Sequence, residues 1–255
     1  MRKVIIMQGS VEILGVPFSK LTLRETIHLL AEHTQSEQPR LFHLITVNPE
    51  ITIAHQKDKL LQTIVNEADL ITPDGVGIVM ASKRKGNPIP ERVTGYDLLL
   101  GLLEKGNTLG LSFYFLGTDE ETNRKAVENI RERFPNVAIA GRHNGFFTEE
   151  EGACIFREIQ HTKPDFLIVA MGAPYTDKWI YKNKLELSGA TVVFGVGGSL
   201  DVIAGKVKQT PTIWKTLNLE WLHRLLTVPV SKGQKSRWRR QTALPIFLYQ
   251  AIIKR

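Results

Sequence analysis

Asp74 stands where an apolar run ends and a pair of glycines begins, in Ile71-Thr72-Pro73-Asp74-Gly75-Val76-Gly77. Residues 69–72 read as a buried strand stopped by Pro73, the glycines permit a tight turn, and Ile78-Val79-Met80-Ala81 opens a helix. A carboxylate there lies at the carboxyl end of a strand, where open α/β sheets bind ligands. It could remove a proton from a substrate hydroxyl. It could equally cap the helix, which is the simpler reading of this stretch alone. A second stretch, Ile45-Thr46-Val47-Asn48-Pro49-Glu50, shifts the balance. Apolar residues 41–45 lead into polar Thr46 and Asn48, and Pro49 can open a helix. Two strand ends offering Thr, Asn and Asp could line one crevice.

Other stretches carry weaker signals. Gly195-Val196-Gly197-Gly198-Ser199 follows an apolar run and could present backbone N–H groups to a phosphate, or could be a structural turn. Gly172-Ala173-Pro174 ends the most apolar run, and Tyr175, Thr176, Asp177, Lys178 and Trp179 would then face the crevice, unless they merely begin a surface helix. Arg92, near Gly95 and Asp97, has no role that its spacing alone reveals. There is no Walker loop, no Asp-x-Asp, no cluster of His and Cys at metal-ligand spacing and no nucleophile elbow. The single cysteine, Cys154, excludes an internal disulfide, suits a reducing cytosol and reads as filler within a helix.

The positioning elements follow from periodicity. Strands are predicted at 11–17, 41–45, 69–72, 112–116, 137–140, 165–171 and 191–196. Helices are predicted from Thr22 as cap, across 51–67, after Gly77, and over 95–105, 119–134, 148–160 and 174–179. Strands alternating with helices, several apolar on both faces, imply a Rossmann-like α/β fold, a mostly parallel sheet sandwiched by helices. The expected division is an α/β domain at 1–205 and a basic, helical, Trp-containing appendage at 206–255.

The 255 residues are 42% hydrophobic and 23% charged, ordinary for a globular chain, and no apolar run suits a signal peptide or a membrane span. Charge is uneven. From Gly205 onward there are 11 Lys and Arg against the single acid Glu220, so this segment carries +10 of a net +7 and the remainder is slightly acidic. Three of four tryptophans (Trp214, Trp221, Trp238) lie there, beside the apolar segment 243–253. Bases flanking tryptophans and a short apolar helix point to an anionic membrane surface rather than nucleic acid, with Leu244, Phe247, Leu248, Ala251 and Ile252 as the inserted face.

In this order, the stretches resemble the WecG/TagA/CpsF glycosyltransferases over nearly the whole chain. The matching features are Thr46-x-Asn48-x-Glu50, Pro73-Asp74-Gly75-x-Gly77, Glu91-Arg92-Val93 with Gly95 and Asp97, Phe115-Leu116-Gly117, Gly172-x-Pro174, Gly195 to Ser199, Asp201 with Ala204-Gly205, and Leu219-Glu220-Trp221-Leu222. The resemblance implies inverting transfer of N-acetylmannosamine from its UDP sugar to undecaprenyl-diphosphate-linked N-acetylglucosamine, without a metal or other cofactor, on the inner face of the plasma membrane. It implies Asp74 as general base, Thr46 and Asn48 as pocket residues, and Arg92, Asp97, Gly172, Thr176, Gly197 and Gly198 as substrate contacts. Arg224, Arg237 and Arg240 would meet diphosphate. Another UDP sugar, a non-catalytic basic binding module, and assembly as a homo-oligomer remain open. The chain departs from the family at Tyr175-Thr176-Asp177, where Lys-Gln-Glu is usual, and at Gln209-Thr210-Pro211, where Arg-Ala-Pro is usual.

Arginines in place of Asp-x-Asp imply that transfer survives excess EDTA. Loss on chelation, restored by magnesium or manganese, would contradict that expectation.

Overall fold

The computed structural model describes residues 9–37, 39–207 and 243–253. Its centre is a six-stranded sheet built from β3 (Phe42–Val47), β4 (Leu70–Pro73), β5 (Ser112–Gly117), β6 (Ala138–His143), β7 (Phe166–Ala170) and β8 (Val192–Gly195), in the order β4-β3-β8-β7-β5-β6. Every adjacent pair is parallel. All six carboxyl ends therefore share one edge, where open α/β sheets bind ligands.

The strands are apolar on both faces because both are covered. Leu44, Leu70, Phe113, Phe115, Phe166, Ile168, Val192 and Phe194 face one cluster, with α1 (Leu23–Thr34), α5 (Gly95–Leu109), α6 (Glu120–Arg133) and α9 (Ser199–Ile203) over it. Their neighbours face the other side. There Ile45, Val47 and Ile71 pack under α2 (Pro49–His55), α3 (Lys59–Glu67) and α4 (Val76–Arg84). Tyr114, Leu116, Leu167, Val169 and Val193 pack under α7 (Glu149–Thr162) and α8 (Tyr175–Lys182).

Local chemistry sets the helix starts. Thr22 with Glu25 and Thr148 with Glu151 form capping boxes, and Asn48, Asp58, Thr94 and Asp119 each accept a first-turn N–H. Buried Asn123 of α6 donates to Gly117 O and His143 O, both at 3.0 Å, and so ties together the ends of β5 and β6.

Four expectations need correction. Residues 11–17 are not one strand: β1 (Ser10–Ile13) and β2 (Val16–Ser19) form an antiparallel hairpin. Leu14 and Gly15 both have positive φ, so a leucine occupies a turn position usually taken by Asn or Asp. The stretch 51–67 is two helices, broken before the Asp58 cap. Cys154 is exposed rather than filler, with Arg157 3.1 Å from its sulfur.

The fourth correction concerns the C-terminus. Leu244, Phe247, Leu248, Ala251 and Ile252 do not form an outward face. Phe247 is fully buried in the cluster of Val47, Ile51 and Ile78, and Leu248, Ala251 and Ile252 pack on that cluster. Leu244 lies against Gly77. Ile246, Tyr249 and Ile253 are the exposed apolar residues of this segment. Among the described residues no helix is long and apolar enough to cross a membrane. Trp214, Trp221, Trp238, Arg224, Arg237 and Arg240 lie outside the described residues.

Candidate active site

The ladder between β3 and β4 pairs Thr46 with Thr72 and Val47 with Pro73. It closes with Asp74 N–H donating to Val47 O at 2.9 Å. Asn48 and Asp74 thus leave adjacent strands at the same level, both half-buried at the carboxyl edge. Asn48 accepts from Ile51 N–H at 2.9 Å, which commits Oδ1 to the α2 cap. Asp74 is not the helix cap. That position belongs to Gly75, whose φ of 131° strains any residue with a Cβ. The turn is also crowded: a Cβ on Gly75 would stand 3.3 Å from the Pro49 ring.

The next segment is drawn in by Val93 N–H, which donates to Pro73 O at 2.8 Å, and half-buried Arg92 is thereby held one residue from the end of β4. Glu91 accepts from Leu23 N–H at 2.7 Å on the other side. Gly95, first in α5, fits closely between Thr46 and β8. A Cβ there would meet Gly195 O at 3.3 Å, Val196 Cα at 3.4 Å and Thr46 Oγ1 at 3.6 Å. Asp97 accepts the Thr94 hydroxyl at 2.7 Å, so its carboxylate closes the α5 cap. Thr46, Asn48, Asp74, Arg92 and Gly95 therefore occupy the carboxyl ends of β3 and β4 and the loop beside them.

β8 and β7 supply the adjoining wall. Gly197 and Gly198 are exposed beyond β8, while Ser199 turns its hydroxyl inward to Val196 O at 2.6 Å. Gly172 is exposed, and Thr176 is buried, donating to Gly172 O and accepting from Met171 N–H, each at 3.2 Å. A Cβ on Gly195 would stand 2.8 Å from the Thr176 methyl and 3.6 Å from Asp177 Oδ1. Lys178 and Trp179 do not face the crevice. Lys178 pairs with Asp58, the cap of α3, and Trp179 packs with Phe147 and Phe156.

A match to the family model of the WecG/TagA/CpsF glycosyltransferases spans residues 11–255. The chain belongs to that family. It is similar to a Bacillus spizizenii protein, 33% identical over 223 residues, covering 88% of this chain and 83% of that protein. A Staphylococcus aureus protein is 31% identical over 244 residues, covering 95% of this chain and 92% of its own length. Both carry the name N-acetylglucosaminyldiphosphoundecaprenol N-acetyl-beta-D-mannosaminyltransferase. Thr46, Asn48, Asp74 and Arg92, polar residues of the motifs, stand together at the carboxyl ends of β3 and β4.

Two residues beside these strand ends escaped the sequence reading. Thr72 is fully buried beside Thr46, and its hydroxyl has no hydrogen-bond partner among the described residues. An apolar-strand pattern conceals a threonine placed at its last turn inward. Pro49 was read only as a helix opener, whereas its ring lies against both Gly75 and Gly77. Asp177 was expected in the crevice but is only 5% exposed. Burial pushes its carboxyl up to about 7 from an ordinary 3.8.

A carboxyl whose folded value is raised binds its proton more tightly in the folded state. Its stabilising effect is complete below the unfolded value near 4 and is lost as pH rises toward 7. Asp177→Asn should therefore flatten the fall in melting temperature between pH 4 and 7. Parallel melting curves for the two proteins over that range would contradict it.

Proposed function

We propose that this enzyme transfers N-acetylmannosamine from a UDP-linked donor to N-acetylglucosamine on undecaprenyl diphosphate, forming the linkage unit of wall teichoic acid. What carries the reading is the joint exit of Asn48 and Asp74 from paired strands in a chain related to transferases of that activity. Asp74 takes the proton of the acceptor hydroxyl as its oxygen attacks the anomeric carbon. The bond from that carbon to UDP breaks, and the configuration inverts. Thr46 and Asn48 orient the sugars. Arg92, with Arg224, Arg237 and Arg240 of the C-terminal stretch, offsets the charge that develops on the leaving diphosphate. Gly172, Thr176, Gly197 and Gly198 bound the donor side, and Asp97 holds the start of α5 against Thr46.

A lipid-diphosphate acceptor incubated with a panel of UDP sugars tests this directly. Incorporation of N-acetylmannosamine in preference to other sugars is the expected result. A different preferred sugar, or none, would contradict it. Asp74→Asn should keep the melting temperature and lower turnover by about 10²–10⁴, the usual worth of a general base. A variant retaining more than about a tenth of wild-type turnover would remove Asp74 from that role.

The acceptor lies in the anionic inner leaflet, and the enzyme docks there. The basic stretch from Gly205 supports this, each base near such a surface contributing about 1 kcal/mol. So do exposed Ile246, Tyr249 and Ile253, together with exposed Met80, Lys83 and Arg84 of the adjoining α4. Replacing Ile246, Tyr249 and Ile253 by glutamate should reduce co-sedimentation with anionic vesicles and spare transfer to a water-soluble acceptor. Undiminished sedimentation would place the contact elsewhere.

A further inference from the structure

The terminal segment 243–253 reaches the catalytic turn itself. At Gly77, two residues past the Gly75 cap, a Cβ would stand 3.0 Å from Leu244 Cδ1, 3.3 Å from Pro49 Cγ and 3.6 Å from Phe247 Cδ1. Three segments distant in sequence thus converge on one glycine. Pro49 follows Asn48, Gly77 follows the Asp74 turn, and Leu244 and Phe247 come from the end of the chain. Phe247 is fully buried in the cluster that holds Val47 and Ile51, which flank Asn48 in the chain, and Ile78 near the start of α4. At the other end of α2, Gln56 donates to Gln250 at 2.9 Å. The terminal segment therefore meets α2 at its C-cap and shares a cluster with Ile51 in its first turn.

We propose that this segment is a positioning element of the active site: Phe247 and Leu244 press the Gly75–Gly77 turn against Pro49 and so fix how Asp74 and Asn48 are presented to the reacting sugars. The inference rests on the roles given to those two residues above. It makes the chain's end more than an anchor. Its inner face holds the turn, while Ile246, Tyr249 and Ile253 remain outside. Interiors are close-packed and transmit displacement, and a misplacement of about 1 Å at a reacting centre can cost on the order of a hundredfold in rate. Gly77 belongs to the same design, since a side chain there would push Leu244 or Pro49 away.

The test compares full-length Phe247→Ala, Phe247→Leu and Leu61→Ala with the wild type, using a short-chain, water-soluble acceptor. Leu61 is fully buried in the same cluster but on α3, and so reports plain loss of packing. Phe247→Ala should lower kcat by about ten- to a hundredfold with the donor KM held within about threefold, and Phe247→Leu should recover most of the loss. Leu61→Ala should lower the melting temperature without that fall in kcat. Hydrogen exchange of amides 76–79 gives a readout independent of turnover: faster in Phe247→Ala, unchanged in Leu61→Ala. If Phe247→Ala fails to fold, Leu244→Ala, at a partly buried position, is judged by the same criteria. Equal kcat in the alanine variants, unchanged exchange at the turn, or a loss confined to vesicle-borne acceptor would overturn the proposal. A wild type that transfers no sugar would instead overturn the activity, and the exchange measurement would still decide the positioning role.

Discussion

The last rung of the β3–β4 ladder, Asp74 N–H to Val47 O, is the constraint on which the site depends. It fixes the register that sets Thr46 beside Thr72 and brings Asn48 and Asp74 out at one level. Side chains in a strand alternate, so a slip of one residue would send Thr46 to the opposite face. Both faces here are buried, and such a slip would also put Leu44 and Ile45 into each other's clusters. Core packing thus enforces the geometry of the crevice.

Around that rung, backbone approach replaces side-chain bulk. Gly95 lets α5 meet Thr46 and β8, Gly75 supplies a backbone conformation that other residues resist, and Val93 ties the Arg92 loop to Pro73. Asp74 and Arg92 are half-buried there, and Asp97 belongs to the α5 cap. The exception is Asp177, a nearly inaccessible carboxyl in the first turn of α8 whose burial favours its protonated form. The slightly acidic body and the basic C-terminal stretch divide the charge of the chain unevenly.

The parallel sheet was legible because strands such as 165–171 are apolar without alternation, which only a doubly covered sheet accommodates. The strand-end placement of Thr46, Asn48 and Asp74 was legible from proline and glycine punctuation. The hairpin was not, because Leu14 fills a left-handed position without a turn residue's signature. Periodicity shows that a helix has an apolar face but not what covers it. Phe247 and its neighbours therefore read as membrane-inserting, although they complete the cluster above Ile45, Val47 and Ile71. The same limit placed Trp179 in the crevice when it belongs under α7. That Asp74 does not cap the helix required the observation that Gly75 takes the cap position.

The central claim is that the sheet's carboxyl edge at β3 and β4 presents Asp74 to the acceptor. A structure of the full chain with UDP and a non-reacting acceptor analogue tests it most directly. The account predicts the acceptor hydroxyl within about 3.2 Å of the Asp74 carboxylate, hydrogen-bonding reach for a general base, with the diphosphate on the Arg92 side. An acceptor hydroxyl held instead by Asp201 or Asp177, or a donor seated away from β3, β4 and β8, would contradict it.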